Sequence, residues 1–558
     1  MMKNFWRNGR LIFSRKQANI LSAATVIMVA VAMSRLLGLF RDRLLAGIFF
    51  GGQEWQLDVY FAAFRLPDMI FQLLVLGALS AAFIPVFSRY LEKKEEEAYY
   101  LSSAVINFLM IFFILLALLV FIFTNPLVRL IAPTFDPTET SLMVNLTRIM
   151  LLAQLFFCLS NFLTGVIQSH QRFLVPALSP VAYNLGIIFG IVVLARWFGV
   201  YGPTIGVVIG AFLHLIIQLP LALRLGLRYS LVFDWRHPGV RQVARLMLPR
   251  TLALAVSQIE LTVAVFLATS LTAGSLSIFY FAQHLMNLPI GLFGITIGQA
   301  ALPTLSRESS ERGFDKFKKT FLSSFNQILY LVLPASAILL VLRIPAVRIV
   351  FGAASFPWKA TLLTGRVLAI FSLSIFAQAV VQLLVRGFYA LHDTKTPFWI
   401  GALSVLTNVS LSFLFIFKLN LGIIGLAWAT TLASFLQTSL LLIFLNHALG
   451  GFDKKEFLVP PIKMGIATAL TAVALWVPMR FLDRFILDTT RTINLVILTV
   501  IATVSGMLVY LTLSYLLKIA ELKSFVNLVK RLGRWRQVLE ESEEIIATPN
   551  PQSTSKEA

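Results

Sequence analysis

The chain has 558 residues, 58% of them hydrophobic and only 13% charged, with a mean hydropathy of +0.83. Soluble domains carry about 45–50% apolar and about 25% charged residues, so aqueous cores cannot bury this chain and lipid must solvate much of its surface. Lys and Arg (47) outnumber Asp and Glu (26), an excess that in a membrane chain reads as inside-positive loops rather than nucleic-acid binding, and the single cysteine, Cys158, excludes an internal disulfide or a Cys-based metal cluster.

Residues 1–18 are basic (Lys3, Arg7, Arg10, Arg15, Lys16) and run into an apolar helix, which predicts a cytoplasmic N-terminus and an uncleaved first span. A spanning helix takes about 20 mostly apolar residues. Six candidates lie near 19–40, 59–87, 101–123, 141–168, 174–196 and 202–223. A basic linker at 224–242 follows, then six more near 243–272, 276–304, 320–342, 361–389, 397–417 and 421–446. Two last segments, near 459–479 and 493–517, bring the total to fourteen. The second, fourth, seventh, eighth and tenth are long, carry proline or polar residues, and are expected to bend. The tail 518–558 starts basic, turns acidic at Glu540, Glu541, Glu543 and Glu544, and is expected to end in disorder. With the N-terminus inside, inner segments collect 29 Lys and Arg and outer ones 11, which predicts both ends in the cytoplasm.

The first twelve spans form an internal repeat. Tyr60-Phe61-Ala62 recurs as Tyr280-Phe281-Ala282, and Ala82 to Arg89 recurs as Ala300 to Arg307. Gly165 and His170 match Gly387 and His392, Asn184 matches Asn408, and Gly206 and Gln218 match Gly425 and Gln437, at offsets of 218–224. Six spans per copy return the chain to the same side, so the two copies, 19–223 and 243–446, are parallel. That is a transporter pattern with its site between the halves, and it leaves 459–517 outside the repeat.

Charges within spans mark the candidate site, because an ionised group in hydrocarbon is expensive and usually faces a polar cavity. Arg35 and Arg41 flank Gly38 in the first span, where a bend would bring them together; Arg41 has Asp42 or Asp58 as a possible partner. Arg65-Leu66-Pro67-Asp68 interrupts the second span, and the i,i+3 spacing allows a buried Arg65–Asp68 pair. Gly77 and the small residues after it suit a hinge. The seventh span opens on Pro249-Arg250 and carries Ser257, Gln258 and Glu260, the last a candidate cation or proton site. The eighth has Gln283-His284 and Asn287, with His284 close to the repeat position of Arg65. No phosphate-binding loop of ATPases and no catalytic carboxylate pair is visible, and the arginines suit an anionic, phosphate-bearing substrate.

Several stretches resemble the MurJ (MviN) family of lipid II flippases, in the superfamily that also holds the MATE exporters. They are SRLLGLFRD at 34–42, DVYFAAFRLP at 58–67, GALSAAFIP at 77–85, QRFLVPALSP at 171–180, Ser257-Gln258, the 280–303 segment and GFYALHDTKTP at 387–397. The resemblance implies an all-α polytopic protein of about fourteen helices: two six-helix lobes around a cavity for the pyrophosphate and sugars of an undecaprenyl-linked precursor. The helices within 459–517 would hold the polyprenyl tail. Ser34, Arg35, Arg41, Arg65, Arg250, Ser277 and His284 are the expected substrate contacts, and Asp42, Asp58, Gly38, Pro67, Asp393 and Lys395 the expected structural or gating positions. The family pattern is altered at Phe71, Gln72, Leu76 and Gln283-His284, where charges usually stand; Arg65, Arg250 and His284 are expected to compensate.

The function expected is transport of lipid II between leaflets of the bacterial cytoplasmic membrane by alternating access. No cofactor is expected beyond a coupling cation of unknown identity. The expected partners are lipid II, the bilayer and the cell-wall synthesis machinery, with no nucleic acid. Two other expectations fit the composition: export of a different polyprenyl-linked oligosaccharide or a drug, and a membrane-embedded glycosyltransferase. The short outer loops disfavour the enzyme.

Overall fold

The computed structural model describes residues 20–76, 82–309, 314–352, 355–523 and 525–526; among them, the side chains of 20–29, 76, 249, 250, 252 and 253 are not described. The basic N-terminus, the small-residue segment 77–81 and the tail beyond 526 therefore lie outside the described residues.

The described chain is helical, with no strand. Helix α1 is Ile20–Phe49. Helix α2 is built from Glu54–Ala63, Arg65–Phe71 and a π-helical turn Gln72–Leu76, and resumes as Ile84–Lys93. The rest of the first repeat is α3 (Glu95–Ile122), α4 (Pro137–Ser169), α5 (Leu174–Phe198) and α6 (Tyr201–Arg224). The second copy is α7 (Pro238–Thr269), α8 (Ser275–Glu308), α9 (Asp315–Val341), α10 (Trp358–Ala390), α11 (Lys395–Lys418) and α12 (Gly422–Ala448). Helices α13 (Lys454–Phe485) and α14 (Thr492–Leu516) end the described fold.

These occupy the fourteen expected positions. Eleven are long and apolar enough to cross a membrane by length and composition. The other three, α1, α2 and α7, carry Arg35, Arg41 and Asp42; Asp58, Arg65 and Asp68; and Arg245, Arg250 and Glu260.

The repeat is visible in backbone detail. The π-helical turn in α2 has a counterpart at Ile290–Ile295 of α8, and Gly190–Leu194 of α5 has one at Leu414–Lys418 of α11. The short helix Thr124–Ile131 before α4 matches Arg343–Phe351 before α10. Gln171 and His392, 221 residues apart, both have a left-handed backbone, with φ of 58° and 59°. Helices α2 and α8 are each interrupted by a π-helical turn, whereas α4, α7 and α10 run as continuous helices. In α1 the helix continues through Gly38 without a break.

Packing repeats as well: α1 lies on α5 as α7 lies on α11, and α6 on α4 as α12 lies on α10. The α5–α6 contact is a glycine seam, where a Cβ on Gly186 would stand 2.4 Å from Gly210 Cα. Helices α13 and α14 pair with each other and rest on α9, where the Tyr510 hydroxyl donates to the Tyr330 carbonyl at 2.9 Å.

Candidate functional site

The two lobes are pinned together at the end that carries the α1–α2, α3–α4, α7–α8 and α9–α10 connections. Asp58 of α2 accepts from the backbone N–H of Gly274 (2.7 Å), the N–H of Ser277 (2.8 Å) and the Ser277 hydroxyl (2.5 Å). A carboxylate there also meets the positive end of the α8 dipole. Arg43 donates to the Ile349 carbonyl at 2.5 Å, the Thr134 hydroxyl to the Thr269 carbonyl at 2.9 Å, and the Ser355 hydroxyl to the Gly47 carbonyl. Phe50 packs on Phe281 and Phe356 across the same seam.

Below the seam, α1, α5 and α8 enclose a cavity of about 520 Å³. Ser34, Arg35, Gly38, Arg41 and Asp42 line it from α1, Tyr183 and Asn184 from α5, and His284 and Leu288 from α8. It extends to Gln168 and Phe173 at the α4–α5 turn, the end opposite the seam. Arg41 donates to Asp42 Oδ1 through Nε (3.0 Å) and Nη2 (2.8 Å), and to Asn184 Oδ1 through Nη1 (3.3 Å). Asp42, 1% exposed, meets His284 Nδ1 with its other oxygen at 2.6 Å. Asn184 also donates to the Ser34 hydroxyl (3.3 Å) and carbonyl (3.2 Å). Arg35 is exposed to the cavity and bonds to no other described residue, so its guanidinium is available to a ligand.

A second cavity, of about 1010 Å³, lies among α7, α8, α10, α11 and α12. Its walls are rich in amides, from Gln283 and Asn287 on α8, Gln378 and Gln382 on α10 and Gln437 on α12, with Lys395 near one end. Glu260 lines it and accepts from Asn408 Nδ2 at 2.6 Å. Asn184 and Asn408 are repeat equivalents, and each ties the first helix of its lobe to the fifth.

Several expected site residues are placed elsewhere. Ser277 is fully buried in the lobe seam by its bond to Asp58, not in either cavity. Arg65 is 6% exposed between α2 and α7, donating to Gln258 Oε1 (2.5 Å), the Gln258 carbonyl (3.0 Å) and the Thr262 hydroxyl (2.8 Å). The expected Arg65–Asp68 pair does not form: Asp68 takes Gln154 Nε2 at 2.9 Å. Pro67 withholds a donor from the Ala63 carbonyl, which accepts from the Thr147 hydroxyl at 3.2 Å instead. Asp393 caps α11 through the N–H groups of Lys395 (2.9 Å) and Thr396 (3.0 Å). The side chain of Arg250 lies outside the described residues. Tyr183, Gln378 and Gln382 line the cavities without having been singled out in the sequence, and Asn184 and Gln437 were marked there only as repeat matches; polar residues inside apolar spans were the signal that could have found them.

A family model described as "Lipid II flippase MurJ" matches residues 45–500. A protein of Bdellovibrio bacteriovorus named "Probable lipid II flippase MurJ" is 29% identical over 465 residues, covering 82% of this chain and 88% of its own. A solved structure titled "Lipid II flippase MurJ, inward closed conformation" superposes with a TM-score of 0.72 at 26% identity, over 88% of this chain and 98% of that one. An inward-facing multidrug resistance MATE transporter superposes at 0.63 with 14% identity, over 76% of this chain and 98% of that one, and shares the fold.

Proposed function

The chain belongs to the MurJ family, and from that premise we propose that it moves lipid II from the inner to the outer leaflet of the bacterial cytoplasmic membrane. It is a transporter and not an enzyme. The observation that carries the proposal is Arg35, which bonds to no other described residue and is held with Arg41 in a cavity between two lobes. A polar head group cannot cross hydrocarbon unaided, since each unsatisfied polar group there costs several kcal/mol. A guanidinium gives the pyrophosphate planar, bidentate hydrogen bonds in its place. Arg41, already bound to Asp42 and Asn184, holds the charge balance of the wall and supplies a second cation at its edge.

Both termini face the cytoplasm in this proposal, which the Lys and Arg excess on the inner segments supports. The lobe seam is then on the outer side and the α1–α8 cavity opens inward, the state that receives substrate from its site of synthesis. Transport requires the seam at Asp58 to part while the inner halves of α2 and α8, near Pro85 and Pro303, approach. With no nucleotide site in the sequence, an ion gradient, the membrane potential or consumption of the flipped product drives the cycle. Glu260 is the residue through which a cation or proton acts, because binding there competes with its bond to Asn408 and loosens α7 from α11. The flipped lipid is handed to cell-wall synthesis on the outer face. Growth of a strain depleted of its own lipid II flippase tests the proposal: the chain restores growth and Arg35→Ala does not, although it reaches the membrane.

A further inference from the structure

A crevice of about 290 Å³ lies among the first turns of α9 and α13 and the chain leaving α14, at the end of the molecule opposite the lobe seam. It shares no lining residue with the α1–α8 cavity. Three lysines reach it from three different elements: Lys319 of α9, Lys463 of α13 and Lys518 beyond α14. Lys463 gives one hydrogen bond to the Leu517 carbonyl at 2.9 Å, which leaves two of its three donors available. Glu456 and Glu521 stand among them. Asn326, 7% exposed, lines the crevice with its Oδ1 buried and without a hydrogen-bond partner.

The crevice thus offers cationic donors for a phosphate and, beside them, acceptors that a phosphate cannot answer. A buried acceptor left unpaired costs about 1–3 kcal/mol. Burial raises the pKa of Glu521. The site sits where helices begin and end, at head-group depth for spans of this length. Leu322, Val459 and Ile519 give it an apolar floor. From Val459, the exposed Ile462, Ile466 and Leu470 continue along one face of α13 at helical spacing, a track for acyl chains.

We infer that this crevice binds the head group of an aminophospholipid, with the phosphate on the lysines and the ethanolamine ammonium donating to Glu456, Glu521 and Asn326. The bound lipid braces α13 and α14 against α9. The inference is independent of what the α1–α8 cavity carries.

The test uses the full chain in detergent. Native mass spectrometry with phosphatidylethanolamine and with phosphatidylglycerol of the same acyl chains reads binding, and thermal unfolding with each lipid and with inorganic phosphate reads stabilisation. Phosphatidylethanolamine should bind about tenfold more tightly than phosphatidylglycerol, a difference of about 1.4 kcal/mol. The Lys319→Gln/Lys518→Gln variant should lose most binding of both lipids. Glu456→Gln/Glu521→Gln should retain phosphatidylglycerol binding and lose the preference. Equal binding of the two lipids, undiminished phosphatidylethanolamine binding by the lysine variant, or equal stabilisation by inorganic phosphate alone would overturn the assignment.

Discussion

Asp42 of α1 and His284 of α8 meet at 2.6 Å across the lobes, and Asp42 holds Arg41 with its other oxygen. One buried carboxylate therefore couples a cavity arginine to the opposite lobe. A histidine serves at this position because its ring nitrogen reaches the carboxylate. His284→Gln keeps a hydrogen-bonding group near that position and should retain most function. His284→Leu leaves Asp42 with Arg41 and should lower stability by about 1–3 kcal/mol. Thermal unfolding and growth complementation of the two variants check this; equal behaviour of both would remove the coupling.

Asn184 and Asn408 make the second pair of predictions. Asn184→Leu frees Arg41 and Ser34 from α5, and Asn408→Leu leaves Glu260 buried without its partner. Both variants should lose transport while inserting normally. Adding Glu260→Gln to Asn408→Leu should recover stability, because it removes the unpaired charge. Loss of stability that deepens in the double variant would contradict the role given to Glu260.

The cap on α11 gives a pH prediction. Partial burial works to raise the Asp393 pKa, but the Thr396 hydroxyl, the amides of Thr396 and Lys395 and the Lys395 charge hold it below its ordinary value. A carboxyl with a lowered folded pKa contributes stability above its unfolded value and loses it as pH falls through the folded one. Asp393→Ala should cost about 0.5–2 kcal/mol at neutral pH, as helix caps do. The difference from wild type should shrink below about pH 4. Thermal unfolding at pH 7 and at acid pH measures it; a difference that grows on acidification would be the wrong sign.

The helix positions and the repeat were legible because hydropathy and recurring polar marks survive in a single sequence. The end of α1 was not. The apolar run ends near residue 40, whereas the helix runs on to Phe49 with Asp42 buried against Arg41 and His284. Partners across 150–250 residues were equally hidden. Arg65 satisfies itself on Gln258 and Thr262 of α7 rather than on Asp68 three residues away, since helix rotation and the lobe seam decide which groups meet. Asn184 was visible only as a repeat mark; its place within an apolar span was the clue that it needed a partner.

The seam predicts a conformational lock. The Thr134 hydroxyl and the Thr269 carbonyl are 2.9 Å apart on opposite lobes. Cysteines at these two positions, joined by a short thiol crosslinker, should hold the outer side shut and stop transport, and a cleavable linker should restore it on cleavage. Undiminished transport with the crosslink complete would rule out lobe rocking about this seam.

The most direct measurement of the central claim is the exposure of lipid II on the outer leaflet of cells depleted of their own flippase. An externally added enzyme that cleaves lipid II reads it. With this chain supplied, cleavage should return, and with Arg35→Ala at equal membrane abundance it should stay at the depleted level. Cleavage as extensive with Arg35→Ala as with the unaltered chain, or none with the unaltered chain, would contradict a flippase that carries its substrate on Arg35.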